Sequence, residues 1–192
     1  PLGTAIESIT CGIPGIINIE NAVAALSAAF LSGVSEQDMR TSMKTFKGNN
    51  RRFDIQFESD KLVYIDDYAH HPEEIKAFVS SIKEMYPGKK ITGIFQPHLF
   101  SRTKDFADEF AKSLSMLDEL LLTEIYPARE KAIPGVTSEL IFNNVSIKNK
   151  TLCSKTELLD KINIKNTEIL LTMGAGDIDL YVPEIKKLCM NA

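Results

Sequence analysis

The sequence predicts an α/β fold: a mainly parallel sheet flanked by helices, preceded by a short helical segment. From residue 53 onward strand-like and helix-like segments take turns, which is the pattern of a layered α/β domain. Before residue 47 the dominant signals are helical. Of the 192 residues, 44% are apolar and 25% charged, the profile of a soluble globular chain with a core of its own.

Residues 1–20 mix β-branched residues with Gly and Pro, and read as a strand ending in a turn at Pro14-Gly15. Residues 20–32 are apolar almost all round, which predicts a helix buried on most sides. Gly33 ends it. Ser35 opens another helix, with Asp38 three residues on as a capping box and Met39, Met43 and Phe46 as its apolar stripe. Lys47-Gly48-Asn49-Asn50 is a loop and the expected domain boundary. Segments 53–57 and 62–65 alternate around Ser59-Asp60 and predict a hairpin. Pro72 suits a first helical position, Glu73 and Glu74 suit the first turn, and Ile75, Phe78, Val79, Ile82 and Met85 form a buried stripe. Then follow a strand at 91–95, a helix from Thr103 with Phe106, Phe110, Leu114 and Leu117 on one face, and a strand at 120–125. A helix over 137–143, the pair Leu152-Cys153, a helix over 155–162, a strand at 169–173 and a C-terminal helix complete the series.

Composition removes several function classes. Lys+Arg is 22 against Asp+Glu 26, a net charge of −4, so the chain as a whole is not built to coat nucleic acid. Cys11, Cys153 and Cys189 are odd in number and form no C-x-x-C pair, which argues against a disulfide framework or a zinc ribbon and suits a reducing cytoplasm. No apolar run approaches the length of a membrane span. The chain opens Pro1-Leu2-Gly3 without Met and reads as part of a longer protein.

In parallel α/β sheets, ligands bind at the carboxyl ends of the strands. Three loops there are polar: Asp66-Asp67-Tyr68-Ala69-His70-His71-Pro72, then Gln96-Pro97-His98-Leu99-Phe100-Ser101-Arg102-Thr103, then Gly174-Ala175-Gly176-Asp177. The first could bind a metal, could recognise a ribose or an amine through Asp67 and His70 with His71 capping the next helix, or could be a bare strand-to-helix loop. The second offers Arg102 and a helix start to an anion, or a surface ion pair. The third is half of a dinucleotide fingerprint or simply a tight turn. Arg51-Arg52 could reach a phosphate across the boundary or be a solvated pair. Gly88-Lys89 lacks the rest of a phosphate-binding loop.

Together NIENAVAA (18–25), FKGNNRRF (46–53), IDDYAHHPEEI (65–75), FQPHLFSRT (95–103), EIYPARE (124–130) and TMGAGDI (172–178) resemble the Mur ligase family, in the family's order and over nearly the whole chain. The resemblance implies that residues 1–50 are the tail of a central ATP-binding domain and residues 51–192 a Rossmann-like C-terminal domain. It implies ATP-driven amide synthesis through an acyl phosphate. UDP-N-acetylmuramate would supply the carboxylate and L-alanine the amine, or a preformed tripeptide in a recycling ligase. Mg2+ ligands are expected mainly outside this chain, which alone would be inactive and could behave as a binding module.

Carried over by motif, Asn18 and Asn21 face adenine, Arg52 lies beside the nucleotide, Asp67 bonds the ribose and Tyr68 sits next to it. His70 and Arg102 face the amino acid and the reacting groups, with His98 shaping that pocket. Two positions depart from the usual family pattern: Ile17 where many members carry His, and Leu99 where many carry Arg. The second leaves Arg102 more responsible for the amino-acid side.

Overall fold

The computed structural model describes residues 5–191. Its centre is a six-stranded sheet. The strands are β1 (Asp54–Glu58), β2 (Val63–Asp67), β3 (Ile91–Phe95), β4 (Glu119–Leu122), β5 (Lys150–Leu152) and β6 (Ile169–Met173), in the order β1-β2-β6-β3-β4-β5. Only β1 runs antiparallel; the other neighbours are parallel, as expected. Ser59 closes the β1–β2 turn, its N–H donating to the Leu62 carbonyl at 2.9 Å. A bulge between Ile55 and Phe57 interrupts the alternation of β1 and leaves Ile55 exposed.

The buried strands read as continuous apolar runs because both faces are covered. Val63, Ile65, Ile169, Leu171, Leu120 and Leu122 face a core closed by helices α3 (Pro72–Met85), α5 (Ala107–Leu114) and α6 (Glu139–Asn144). Tyr64, Leu170, Ile94 and Leu121 face a second core under α7 (Leu158–Lys161) and α8 (Val182–Met190). Gly93 makes room for Leu117 on the first face: a Cβ there would stand 2.5 Å from Leu117 Cδ1. Helix α3 starts as its sequence dictates, with Pro72 in the first turn and the Glu74 carboxylate accepting from the N–H groups of His70 at 2.9 Å and His71 at 3.1 Å. Met85, at the end of its stripe, is exposed rather than buried.

Several expectations are corrected. The strand expected over residues 1–20 is absent from residues 5–15, and residues 1–4 lie outside the described part. Helix α1 (Ile16–Leu31) begins at the Pro14-Gly15 turn instead, with Gly15 at φ 97°. None of its residues is buried, and Leu31 is 77% exposed. Within the described residues it packs on one side only, against α2 (Glu36–Thr45) and α3, so its apolar outer face has no cover there. In α2 the Ser35–Asp38 cap is present at 3.2 Å and Met39 is buried, but Phe46 lies past the helix and is exposed.

The helix expected from Thr103 is two helices, α4 (Phe100–Asp105) and α5, broken at Phe106. It starts early because Leu99, at φ 75°, turns the chain and the distant Glu130 carboxylate accepts from the Ser101 N–H at 2.9 Å. Phe106 leaves the buried face and sets its ring 5.0 Å from that of His71. The strand at 120–125 spans Glu119–Leu122, and the helix at 155–162 is a 3-10 turn, Lys155–Glu157, followed by α7.

Phe110 is fully buried with its ring centroid 5.4 Å from that of Phe95. Phe110→Ala is expected to lower the unfolding free energy by about 3–5 kcal/mol, measured by urea denaturation, whereas Phe110→Leu should cost less than half as much.

Candidate functional site

The sheet order brings the three polar loops together, because β6 lies between β2 and β3. Strand alternation sends Asp66 and Asp67, at the end of β2, to opposite faces. The expected site residues divide into two groups.

The first group surrounds a cavity of about 750 Å3 between α1, α2 and α3. Asn18, Asn21, Arg52 and Asp67 all line it. Asn18 and Asn21 are one helical turn apart on α1, so their amides share a face. The Asn18 side-chain amide donates to the Pro14 carbonyl at 2.5 Å, which leaves its oxygen as an acceptor. Asp67 is buried; one of its oxygens accepts from the Phe53 N–H and the other from the Ala69 N–H, both at 2.8 Å. Each oxygen keeps a further lone pair for a hydroxyl donor. Burial pushes the Asp67 carboxyl up to about 6, against the pull of the Phe53 and Ala69 N–H groups and of Arg52, while Asp66 adds to the rise.

The second group is a row of rings outside that cavity. Tyr68 and His70 are 5.2 Å apart, His70 and His98 5.9 Å, and His98 and Tyr126 5.7 Å with near-parallel planes. His70 Nδ1 lies 2.9 Å from the Tyr68 carbonyl, an acceptor only, so Nδ1 carries the proton and Nε2 is the acceptor of the neutral ring. Glu74 links the groups: its carboxylate is 3.4 Å from His70 Nδ1 and it also lines the cavity. Arg102 Nη1 stands 3.4 Å from His98 Nδ1. Burial and then the charge of Arg102 hold His98 below its ordinary imidazole value, against the pull of Glu130.

Some functional positions were not legible. Tyr126 and Glu130 belong to the EIYPARE segment, yet nothing local shows that Tyr126 stacks on His98 or that the Glu130 carboxylate accepts from both the N–H and the hydroxyl of Ser101. Arg51 is not a solvated partner of Arg52; it is bonded into the sheet end. Gly174 and Gly176 form a tight turn, with no room for side chains: a Cβ on Gly174 would stand 2.8 Å from the Gln96 carbonyl and one on Gly176 would stand 2.6 Å from Tyr126 Cβ. Among the described residues no three His, Cys, Asp or Glu side chains are grouped to hold a metal ion. No helix among them is long and apolar enough to cross a membrane.

Parallel strands ending in polar loops beside a lined cavity are the features of an α/β protein with a candidate ligand site at its strand ends. A family model described as "Mur ligase, glutamate ligase domain" matches residues 51–176. The UDP-N-acetylmuramate–L-alanine ligase of Parabacteroides distasonis is 52% identical over 95% of this chain and 40% of its own length. The crystal structure of UDP-N-acetylmuramate-alanine ligase from Thermotoga maritima superposes with a TM-score of 0.81 at 28% identity, covering 99% of this chain and 42% of that one. A murein peptide ligase from Psychrobacter arcticus shares the fold, with a TM-score of 0.65 at 22% identity over 95% of this chain and 38% of its own. The chain belongs to the Mur ligase family, and it spans about 40% of the length of the curated relatives it matches.

The folded-state value of Asp67 lies above the ordinary 3.8, so the native state binds that proton more tightly than the unfolded chain does. The stability this contributes is full below about pH 4 and is lost as pH rises through about 6. Relative to Asp67→Asn, the wild-type chain is expected to lose about 2–3 kcal/mol of unfolding free energy between about pH 4 and pH 7, read from urea titrations across that range. Parallel curves for the two proteins would contradict it.

Proposed function

We propose that this chain is the C-terminal part of an ATP-dependent ligase that joins L-alanine to UDP-N-acetylmuramate in the cytoplasm. Residues 1–50 would be the tail of the central ATP-binding domain and residues 51–192 the C-terminal domain. The observation that carries the reading is the cavity in which Asn18 and Asn21, from before the boundary loop, meet Arg52 and Asp67, from after it. The family model's match, starting at residue 51, supports a boundary at that loop.

The donor set suits a nucleotide. Amides can both donate to and accept from a purine edge, a carboxylate accepts from ribose hydroxyls, and a guanidinium neutralises phosphate. The described residues offer no comparable set for Mg2+. ATP supplies the activation of the muramyl carboxylate, and the alanine amine displaces phosphate from the activated acyl group. In the ring row, Arg102 is the cation for the alanine carboxylate, since Leu99 supplies none. Burial and Arg102 disfavour the charged form of His98, so it competes less with Arg102 for an anion. His70 presents Nε2 as acceptor for a proton of the incoming ammonium, with its other nitrogen fixed on Tyr68.

The tripeptide-recycling alternative is disfavoured by the higher identity and closer superposition of the L-alanine ligases. Phosphate release by the full-length protein with ATP, Mg2+ and UDP-N-acetylmuramate should require L-alanine and not respond to tripeptide; the reverse result would move the protein to recycling. Arg102→Ala should raise KM for L-alanine at least about tenfold with KM for ATP little changed. The 192-residue chain alone should release no phosphate above buffer.

A further inference from the structure

We infer that Arg51 is a positioning residue for the nucleotide side of the site, acting through Arg52 and Asp67; this rests on the ligase reading above. Arg51 follows the boundary loop directly and adopts φ 61°, and Phe53 adopts φ 50°. Both lie in the left-handed region that side chains with a Cβ disfavour, so the turn persists only because its surroundings hold it.

Those surroundings are the ends of two neighbouring strands. The Arg51 N–H donates to Asp54 Oδ2 at 3.2 Å and its carbonyl accepts from the Tyr68 N–H at 2.7 Å. Its guanidinium donates to Asp66 Oδ2 at 3.1 Å from Nε, to the Gly174 carbonyl at 2.5 Å from Nη2 and to the Gly176 carbonyl at 3.5 Å from Nη1. Nη1 is also 3.6 Å from Asp179. The Arg51 side chain is 17% exposed and that of Asp66 1%. The fork therefore ties the end of β2 to the turn after β6, and the peptide that follows is carried with it. The Phe53 N–H reaches Asp67 Oδ2, and the two guanidinium groups flank the Tyr68 ring at 5.2 and 5.4 Å, Arg52 standing at the cavity wall. A lysine keeps the charge but cannot span these acceptors in one plane.

The test uses the full-length enzyme and compares wild type with Arg51→Lys, Arg51→Gln, Arg52→Gln and the double variant Arg51→Gln/Arg52→Gln. Dissociation constants are measured for a non-hydrolysable ATP analogue, with KM for ATP and for L-alanine alongside. Arg51→Lys, which retains the charge, is expected to weaken analogue binding and raise KM for ATP about tenfold, with KM for L-alanine within about twofold. The double variant should bind the analogue no worse than the poorer single variant by more than about twofold, because both changes remove the same placed group. Equal rises in both KM values, or effects of Arg51→Gln and Arg52→Gln that multiply, would overturn the inference. So would a lowered Tm with both KM values and analogue binding unchanged. A wild-type enzyme that does not bind the analogue overturns the nucleotide reading itself, and the inference with it.

Discussion

Two consecutive carboxylates, Asp66 and Asp67, end a strand that is buried on both faces. A strand sends neighbouring side chains to opposite sides, so the pair cannot share one partner set. Asp66 accepts from the Thr172 hydroxyl at 2.5 Å and from Arg51, with the Tyr64 hydroxyl 3.1 Å behind Thr172. Asp67 goes to the other face and accepts from two backbone N–H groups. Charges this deeply buried are tolerated only when bonded, and the bonds decide where the surrounding chain runs. Asp66 fixes Arg51 and the β6 strand; Asp67 fixes the turn at Phe53 and the wall of the cavity. Burial still raises the Asp66 carboxyl, which shows that its partners offset the cost only in part.

Much of the scaffold was legible because it is local or periodic. The apolar runs of β2, β3 and β6, the Ser59 hairpin turn and the Pro72–Glu74 helix start each carry their own signal within a few residues. The misread elements depend on partners far away in sequence. The break at Phe106 follows from a helix started early by Glu130, some thirty residues on. The exposure of α1 was invisible because an apolar helix announces that it wants cover, not which segment provides it.

The site was legible in parts and not in assembly. Three polar strand-end loops could be found by inspection, but only the crossover that inserts β6 between β2 and β3 makes them neighbours. The motif resemblance supplied Asn18, Asn21, Arg52 and Asp67, and the fold gathers them around one cavity. The resemblance also set His70, His98 and Arg102 apart on the amino-acid side, but did not show that Tyr68 and Tyr126 extend their row or that Glu74 reaches both His70 and the cavity. Arg51 looked like half of a dibasic pair, because the groups it binds include glycine carbonyls, which have no side-chain signature.

Those carbonyls have a further consequence. A dinucleotide-binding glycine turn offers N–H groups at a helix start and so attracts phosphate. Here the turn after β6 presents the oxygens of Gly174 and Gly176 toward the site edge, and the Gly174 N–H is already given to the Asp67 carbonyl at 3.3 Å. The turn is an electronegative rim whose two carbonyls are held by Arg51, with Lys155 paired to Asp177 beside them. With its Gly174 N–H already bonded, this strand end lacks the phosphate seat that a glycine turn gives other α/β proteins.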